Sequence, residues 1–162
     1  MKNKNKKQNG FTLIELMVVV AVIALLSSVA LIAFMSARQK SRDAKRLSDM
    51  TQMNTGLALY FASNRGYPSG PNGIPEALMP NYASTLPRNP QPADGICTSV
   101  TYDPPVPNGT VADNYYYYPS GTPYLGTEGS MVYPDYYYYF CLGNMTGNFP
   151  GGLHVMTPQG LR

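Results

Sequence analysis

The sequence predicts an α+β protein in which a long N-terminal helix is followed by a small antiparallel β-sheet. Three observations carry that prediction. Leu16 to Met35 is a run of 20 residues without a charge, long enough at about 1.5 Å rise per residue to cross the roughly 30 Å hydrocarbon core of a bilayer. Ala37 to Asn64 contains no proline and carries apolar residues at helical spacing. Beyond Arg65 the composition shifts to Pro, Gly and Tyr, and two tyrosine runs appear, Tyr115–Tyr118 and Tyr136–Tyr139.

A leader, residues 1–10, precedes the apolar run with Lys2, Lys4, Lys6 and Lys7 and no acid. The run is too long for a secretory signal peptide, and the boundary that stands out, Gly10-Phe11, lies before it rather than after it. By the positive-inside rule the lysines hold the N-terminus in the cytoplasm. The far flank is basic too, with Arg38, Lys40, Arg42, Lys45 and Arg46 offset only by Asp43 and Asp49, so charge counting alone assigns no orientation. Glu15 sits just inside the N-terminal end of the apolar stretch 10–35, next to Leu16. A carboxylate there is costly and is normally kept for a partner; solvation at headgroup level is the alternative.

In the second half of the helix, Leu47, Met50, Met53, Leu57, Tyr60 and Phe61 recur at spacings of three and four, a stripe that needs a cover. Arg38, Arg42, Lys45 and Arg46 are expected on the wetter turns. Gly56 either weakens the helix, by about 1 kcal/mol relative to Ala, or admits a close approach of the head. Asn64-Arg65-Gly66-Tyr67-Pro68 supplies a stop, with Gly near the C-cap and Pro just beyond. One helix over 11–64 would run roughly 80 Å, with 11–36 in lipid and 37–64 against a head formed by 65–162.

At 162 residues the chain allows one domain besides its membrane segment. With the four leader lysines set aside, eight Lys and Arg face nine Asp and Glu, a side-chain charge of −1 in place of +3. No nucleic-acid partner follows from that balance. Pro75–Met79 reads as a short helix with Pro at its first position. The two tyrosine runs read as antiparallel strands, with Tyr115 and Tyr117 on one face and Tyr116 and Tyr118 on the other. Val100–Tyr102 and Leu153–Met156 are further strand candidates, and Thr157–Arg162 reads as a tail.

Cys97 and Cys141 form an even pair in a head read as exported, which favours a disulfide; two free thiols are the alternative. A metal site is remote, because only His154 could assist the thiols. The lone His154 reads as structural or surface. There is no Ser/His/Asp order, no CxxC and no phosphate-binding glycine loop, so an enzyme is not expected. The tyrosines fit sheet packing with a polar outer face better than a sugar-binding, adhesive or charge-transfer surface. Asn108-Gly109-Thr110 and Asn144-Met145-Thr146 match the short N-glycosylation pattern.

Gly10-Phe11-Thr12-Leu13-Ile14-Glu15, set between a basic leader and an apolar run, resembles the prepilin signal of type IV pilins and of type II secretion pseudopilins. Ala37–Met50, Leu57–Phe61 and Asn64–Pro68 are similar to the major pseudopilin, so the resemblance covers about 10–68. It implies a pilin-like fold, cutting between Gly10 and Phe11 by a prepilin peptidase, and N-methylation of Phe11. It further implies that Glu15 neutralises the Phe11 amine of a neighbouring subunit during assembly. Leu86-Pro87-Arg88-Asn89-Pro90 resembles a Leu-Pro-x-Asp-Pro turn, with Asn89 where an Asp is usual. The family binds calcium through acids in a late loop, but residues 126–135 offer only Glu128 and Asp135, where calcium wants about six to eight oxygens. The implied partners are the peptidase, a homo-polymer with other pilin-like subunits, and an inner-membrane assembly platform. The implied setting is a single-pass inner-membrane protein, N-terminus in and head exported, assembled into a periplasmic or cell-surface fibre. A subunit of a type II secretion-like pseudopilus is the leading function. A type IV pilin of a surface fibre for adhesion, motility or DNA uptake is one alternative, and a monomeric membrane-anchored binding module is another.

Overall fold

The computed structural model describes residues 10–99 and 115–162. The leader up to residue 9, the strand expected at Val100–Tyr102 and the motif at Asn108–Thr110 lie outside the described residues. The chain divides into two compact units, residues 1–38 and 39–162. One helix, α1, spans Leu13–Asn64, two residues short of the expected start because Thr12 serves as its cap.

In the first unit the large apolar side chains of α1 from Leu13 to Met35 are all exposed. This part of the helix is long and apolar enough to cross a membrane. Near its end the Arg38 guanidinium lies 4.3 Å from the centre of the Phe34 ring.

The second unit packs the rest of α1 on an antiparallel sheet. Its strands are β1 (Tyr116–Ser120), β2 (Tyr124–Leu125), β3 (Met131–Val132), β4 (Asp135–Leu142), β5 (Gly152–Thr157) and β6 (Gly160–Leu161). The main sheet has the order β1-β4-β5-β6, and β2 and β3 form a separate two-stranded ladder. The tyrosine runs therefore become neighbours, with Tyr117 opposite Tyr138 and Tyr118 opposite Tyr137. Strand alternation sorts them as expected. Tyr115 and Tyr117 are buried while Tyr118 is 41% exposed, and on β4 Tyr136 and Tyr138 are buried while Tyr137 is exposed.

The inward tyrosines meet a stripe on α1 made of Met50, Met53, Leu57 and Tyr60. Phe61 departs from the expected stripe: it is 41% exposed and leans on the Tyr67 ring at 4.9 Å. Gly56 does admit a close approach, since a Cβ there would come within 3.1 Å of the Tyr82 carbonyl oxygen. The helix stop differs in detail. Arg65 (φ +61°), not Gly66, takes the left-handed position, and its amide donates to Phe61 O at 2.7 Å. Gly66 is needed instead for space, because a Cβ there would collide with Val132. The short helix near Pro75 is a single 3-10 turn, Glu76–Leu78. The expected tail is ordered: β6 returns beside β5, and Val155 and Arg162 exchange backbone hydrogen bonds at 3.0 and 2.8 Å.

Replacing the fully buried Leu57 tests the helix–sheet contact. Leu57→Ala should lower the unfolding free energy by about 2–5 kcal/mol, measured by denaturant titration of the chain in detergent. Leu59→Ala, at a half-exposed position two residues on, should change it by about 0.5 kcal/mol or less.

Candidate functional site

Two groups of polar side chains stand out, one at the start of α1 and one on the turns after Gln39. The first is local. Thr12 Oγ1 accepts a hydrogen bond from the Glu15 amide at 3.3 Å, while Glu15 Oε2 accepts from the Thr12 amide at 2.9 Å and from Thr12 Oγ1 at 2.8 Å. This reciprocal Thr-x-x-Glu arrangement satisfies two N–H groups that a helix start leaves open. Gly10, Phe11 and Glu15 are all exposed within the chain. The carboxylate therefore has partners on its own helix turn, one residue away from the Gly10-Phe11 bond.

The second group is long-range, and it corrects the expectation of wet basic turns for Arg42 and Arg46, while Arg38 and Lys45 are exposed as expected. Arg46 is fully buried, as is Asp43. The Arg46 guanidinium donates to Asp43 Oδ1 at 2.6 Å, to Asn89 Oδ1 at 2.8 Å, to Pro90 O at 3.0 Å and to Asp94 Oδ2 at 3.4 Å. Arg42 forms a two-pronged pair with Asp94, Nε to Oδ2 at 2.6 Å and a terminal nitrogen to Oδ1 at 2.5 Å. That fork holds the Asp94 carboxyl below the usual carboxylate range, and the Arg42 pKa is raised in turn. Asp43 also accepts from the Gly143 amide at 2.9 Å and the Asn144 amide at 3.0 Å. One turn further, Asp49 pairs with Lys45 at 2.8 Å and accepts from the Tyr115 hydroxyl at 2.8 Å. Burial, reinforced by that carboxylate, pushes the Tyr115 phenol up.

The expected disulfide is present: Cys97 and Cys141 are bonded, with Cα atoms 5.7 Å apart. It lies beside the ion cluster, because Asp94 precedes Cys97 and Gly143 follows Cys141. The calcium expectation finds no support in the donor set. Glu128 is exposed and Asp135 accepts from the Tyr136 amide at 2.7 Å. Among the described residues no three His, Cys, Asp or Glu side chains group as a metal site. His154 is buried between Phe140 and Phe149, with Nε2 2.8 Å from Pro150 O, a structural position. Asn144 is exposed.

Comparison with known proteins bears on the first group. Residues 5–31 match the prokaryotic N-terminal methylation motif. The chain thus carries that motif in its N-terminal segment. It is 33% identical over 98 residues to the type II secretion system core protein G of Pectobacterium carotovorum, 60% of this chain and 62% of the relative. It is 35% identical over 89 residues to the protein of that name from Vibrio cholerae, 55% of this chain and 57% of the relative. A prepilin peptidase-dependent protein D from Escherichia coli is 35% identical over 83 residues, 49% and 57% of the two chains. The chain thus spans about three-fifths of the length of these curated relatives. No solved structure matches it.

Sequence reasoning anticipated the Cys97–Cys141 bond but missed the buried cluster. One signal was available. Asn89 stands in the turn that the pseudopilin resemblance already singled out, and it is the partner of Arg46 Nε. The cluster also makes the head of this chain sensitive to acid in a defined sense. The folded-state pKa of Asp94 is lowered, so its stabilisation is complete above the unfolded carboxylate range, about pH 4, and is lost as pH falls through the folded value. Asp94→Asn should therefore lower stability at neutral pH and flatten the acid limb of the unfolding free energy against pH. Parallel acid limbs for the two proteins would remove the assignment.

Proposed function

We propose that this chain is a structural subunit, not an enzyme, which is processed at its N-terminus and polymerises through α1 into the pseudopilus of a type II secretion-like system. The observation that carries the reading is the order of parts: a basic leader, the Gly10-Phe11 bond, a Glu15-capped helix start and an exposed apolar helix, within a matched methylation motif. The relatives named as type II secretion core proteins support the secretion assignment. A surface type IV pilus built on the same helix is the second reading, and the Escherichia coli relative favours the processing step common to both.

In this reading the N-terminus stays in the cytoplasm, the apolar half of α1 sits in the inner membrane, and the head is exported. A prepilin peptidase hydrolyses the Gly10-Phe11 amide, and the new Phe11 amine is methylated. That amine is cationic and adjoins Thr12, whose amide already donates to Glu15. Glu15 can thus be satisfied locally in the monomer. In a bundle of helices with little water, each Phe11 ammonium needs an anion nearby, since an unpaired charge there costs several kcal/mol. Glu15 of a neighbouring subunit supplies it and sets the axial register. An inner-membrane platform and other pilin-like subunits are the partners this assembly calls for.

Two expectations follow. Intact mass or N-terminal sequencing of the membrane protein should give a chain that starts at Phe11 and carries an added methyl; a chain starting at Met1 overturns the processing step. Glu15→Val should remain inserted and cleaved, yet yield little sheared or sedimented polymer, and should poison fibres when coexpressed with wild type. Normal polymer yield from that variant would leave Glu15 no part in assembly.

A further inference from the structure

Two kinds of bond hold the same pair of loops. The Cys97–Cys141 bridge ties the segment that begins at Asp94 to the end of β4. On one side of it, Asp94 is gripped by Arg42 and reached by Arg46, and its carbonyl accepts from the Cys97 amide at 3.1 Å. On the other, the amides of Gly143 and Asn144 are held by the two oxygens of Asp43. The loops also touch through their backbones. A Cβ on Gly95 would lie 2.5 Å from the Gly143 carbonyl oxygen, and one on Gly143 would lie 2.4 Å from Asp94 Cβ. Neither loop can shift far without the other.

We propose that the disulfide and the Asp43–Arg46–Asp94 cluster form a single redox-sensitive latch that fastens both loops to α1. It uses none of the groups assigned to processing or assembly, so it stands or falls independently of that reading. Coupling of this kind is reciprocal. Breaking the cluster makes the bridge easier to reduce, and reducing the bridge loosens the cluster. The chemistry is thiol–disulfide exchange: two molecules of a low-molecular-weight thiol convert the Cys97–Cys141 bond to two protein thiols and leave as one disulfide. In a reducing compartment the loops have only the cluster; in an oxidising one they have both. Arg42 and Arg46 are the cations facing Asp43 and Asp94. The Lys45–Asp49 pair faces Tyr115 instead, which makes Lys45 a control.

The test uses the full chain in detergent, equilibrated with glutathione buffers at neutral pH, quenched by alkylation and scored by mass. Asp43→Asn should be half-reduced at a ratio of squared glutathione to its disulfide about tenfold lower than wild type, and Lys45→Ala should match wild type. Equal ratios for wild type and a folded Asp43→Asn overturn the latch. Where Asp43→Asn does not fold, wild type decides. On reduction, hydrogen exchange at the Gly143 and Asn144 amides should speed about tenfold, with the Phe140 amide in β4 unchanged. Exchange that is the same in both redox states overturns the latch equally.

Discussion

A guanidinium removed from water has to be matched donor by donor, and the head of this protein is arranged around one. Arg46 carries five N–H donors, and its side chain has no solvent exposure. Desolvating such an ion costs several kcal/mol, recovered only with near-ideal partners. Here the partners come from three places in the chain. Asp43 is on the preceding turn of α1, Asn89 and Pro90 lie in an irregular segment, and Asp94 opens the disulfide segment. Satisfying one side chain thus brings irregular segments onto the helix that no sheet hydrogen bond would hold there. Asp43 extends the arrangement to the β4–β5 turn by taking two further amides.

The same logic governs the tyrosine core. A phenol can fill a core only where its hydroxyl reaches an acceptor. Tyr115 donates to Asp49 at 2.8 Å, Tyr117 to Pro68 O at 2.9 Å and Tyr136 to Asn54 at 3.1 Å. Their rings pack among themselves, with Tyr117 stacked on Tyr136 at 5.7 Å and edge-on to Tyr138 at the same distance. Burial pushes the Tyr117, Tyr136 and Tyr138 phenols up, so these hydroxyls stay protonated donors. A head with few charged residues obtains internal polarity from phenols anchored at the rim of the sheet.

What could be read from the sequence divides along one physical line. Periodicity and local chemistry were legible: the long helix, the in–out alternation of Tyr115 to Tyr118, the stop before Pro68, the Cys97–Cys141 pair and the Gly10–Glu15 motif. Pairings that depend on distant chain return were not. Nothing adjacent to Arg42 or Arg46 announces Asp94, 52 and 48 residues away, so charged residues on a helix beside a membrane read as solvated. Thr12 and Glu15 add a local pattern, since Thr-x-x-Glu at a helix start is the signature of a capping box. Arg65 in the left-handed position shows the limit for turns, since the adjacent Gly66 was the better steric candidate and was spent on clearance from Val132.

The carboxylates differ in how far along the chain their partners lie. Glu15 finds its partners three residues away, so its bonds form as soon as the first helical turn forms and need nothing from the head. Asp43 and Asp49 each keep one partner nearby, Arg46 and Lys45, but their remaining bonds, like those of the Asp94 carboxylate, form only when loops of 48 to 101 residues close, and loop closure carries an entropic cost that local pairs avoid. A carboxylate destined for an apolar environment is best satisfied by the first kind of bond, because a bilayer offers it no water while the rest of the chain folds. A carboxylate that fixes a fold is best satisfied by the second kind, because its partners then exist only in the folded arrangement. Local hydrogen bonds leave Glu15 able to change partners at the cost of a helix cap, about 1 kcal/mol. Asp43 has no such freedom, since releasing it would strand a buried Arg46.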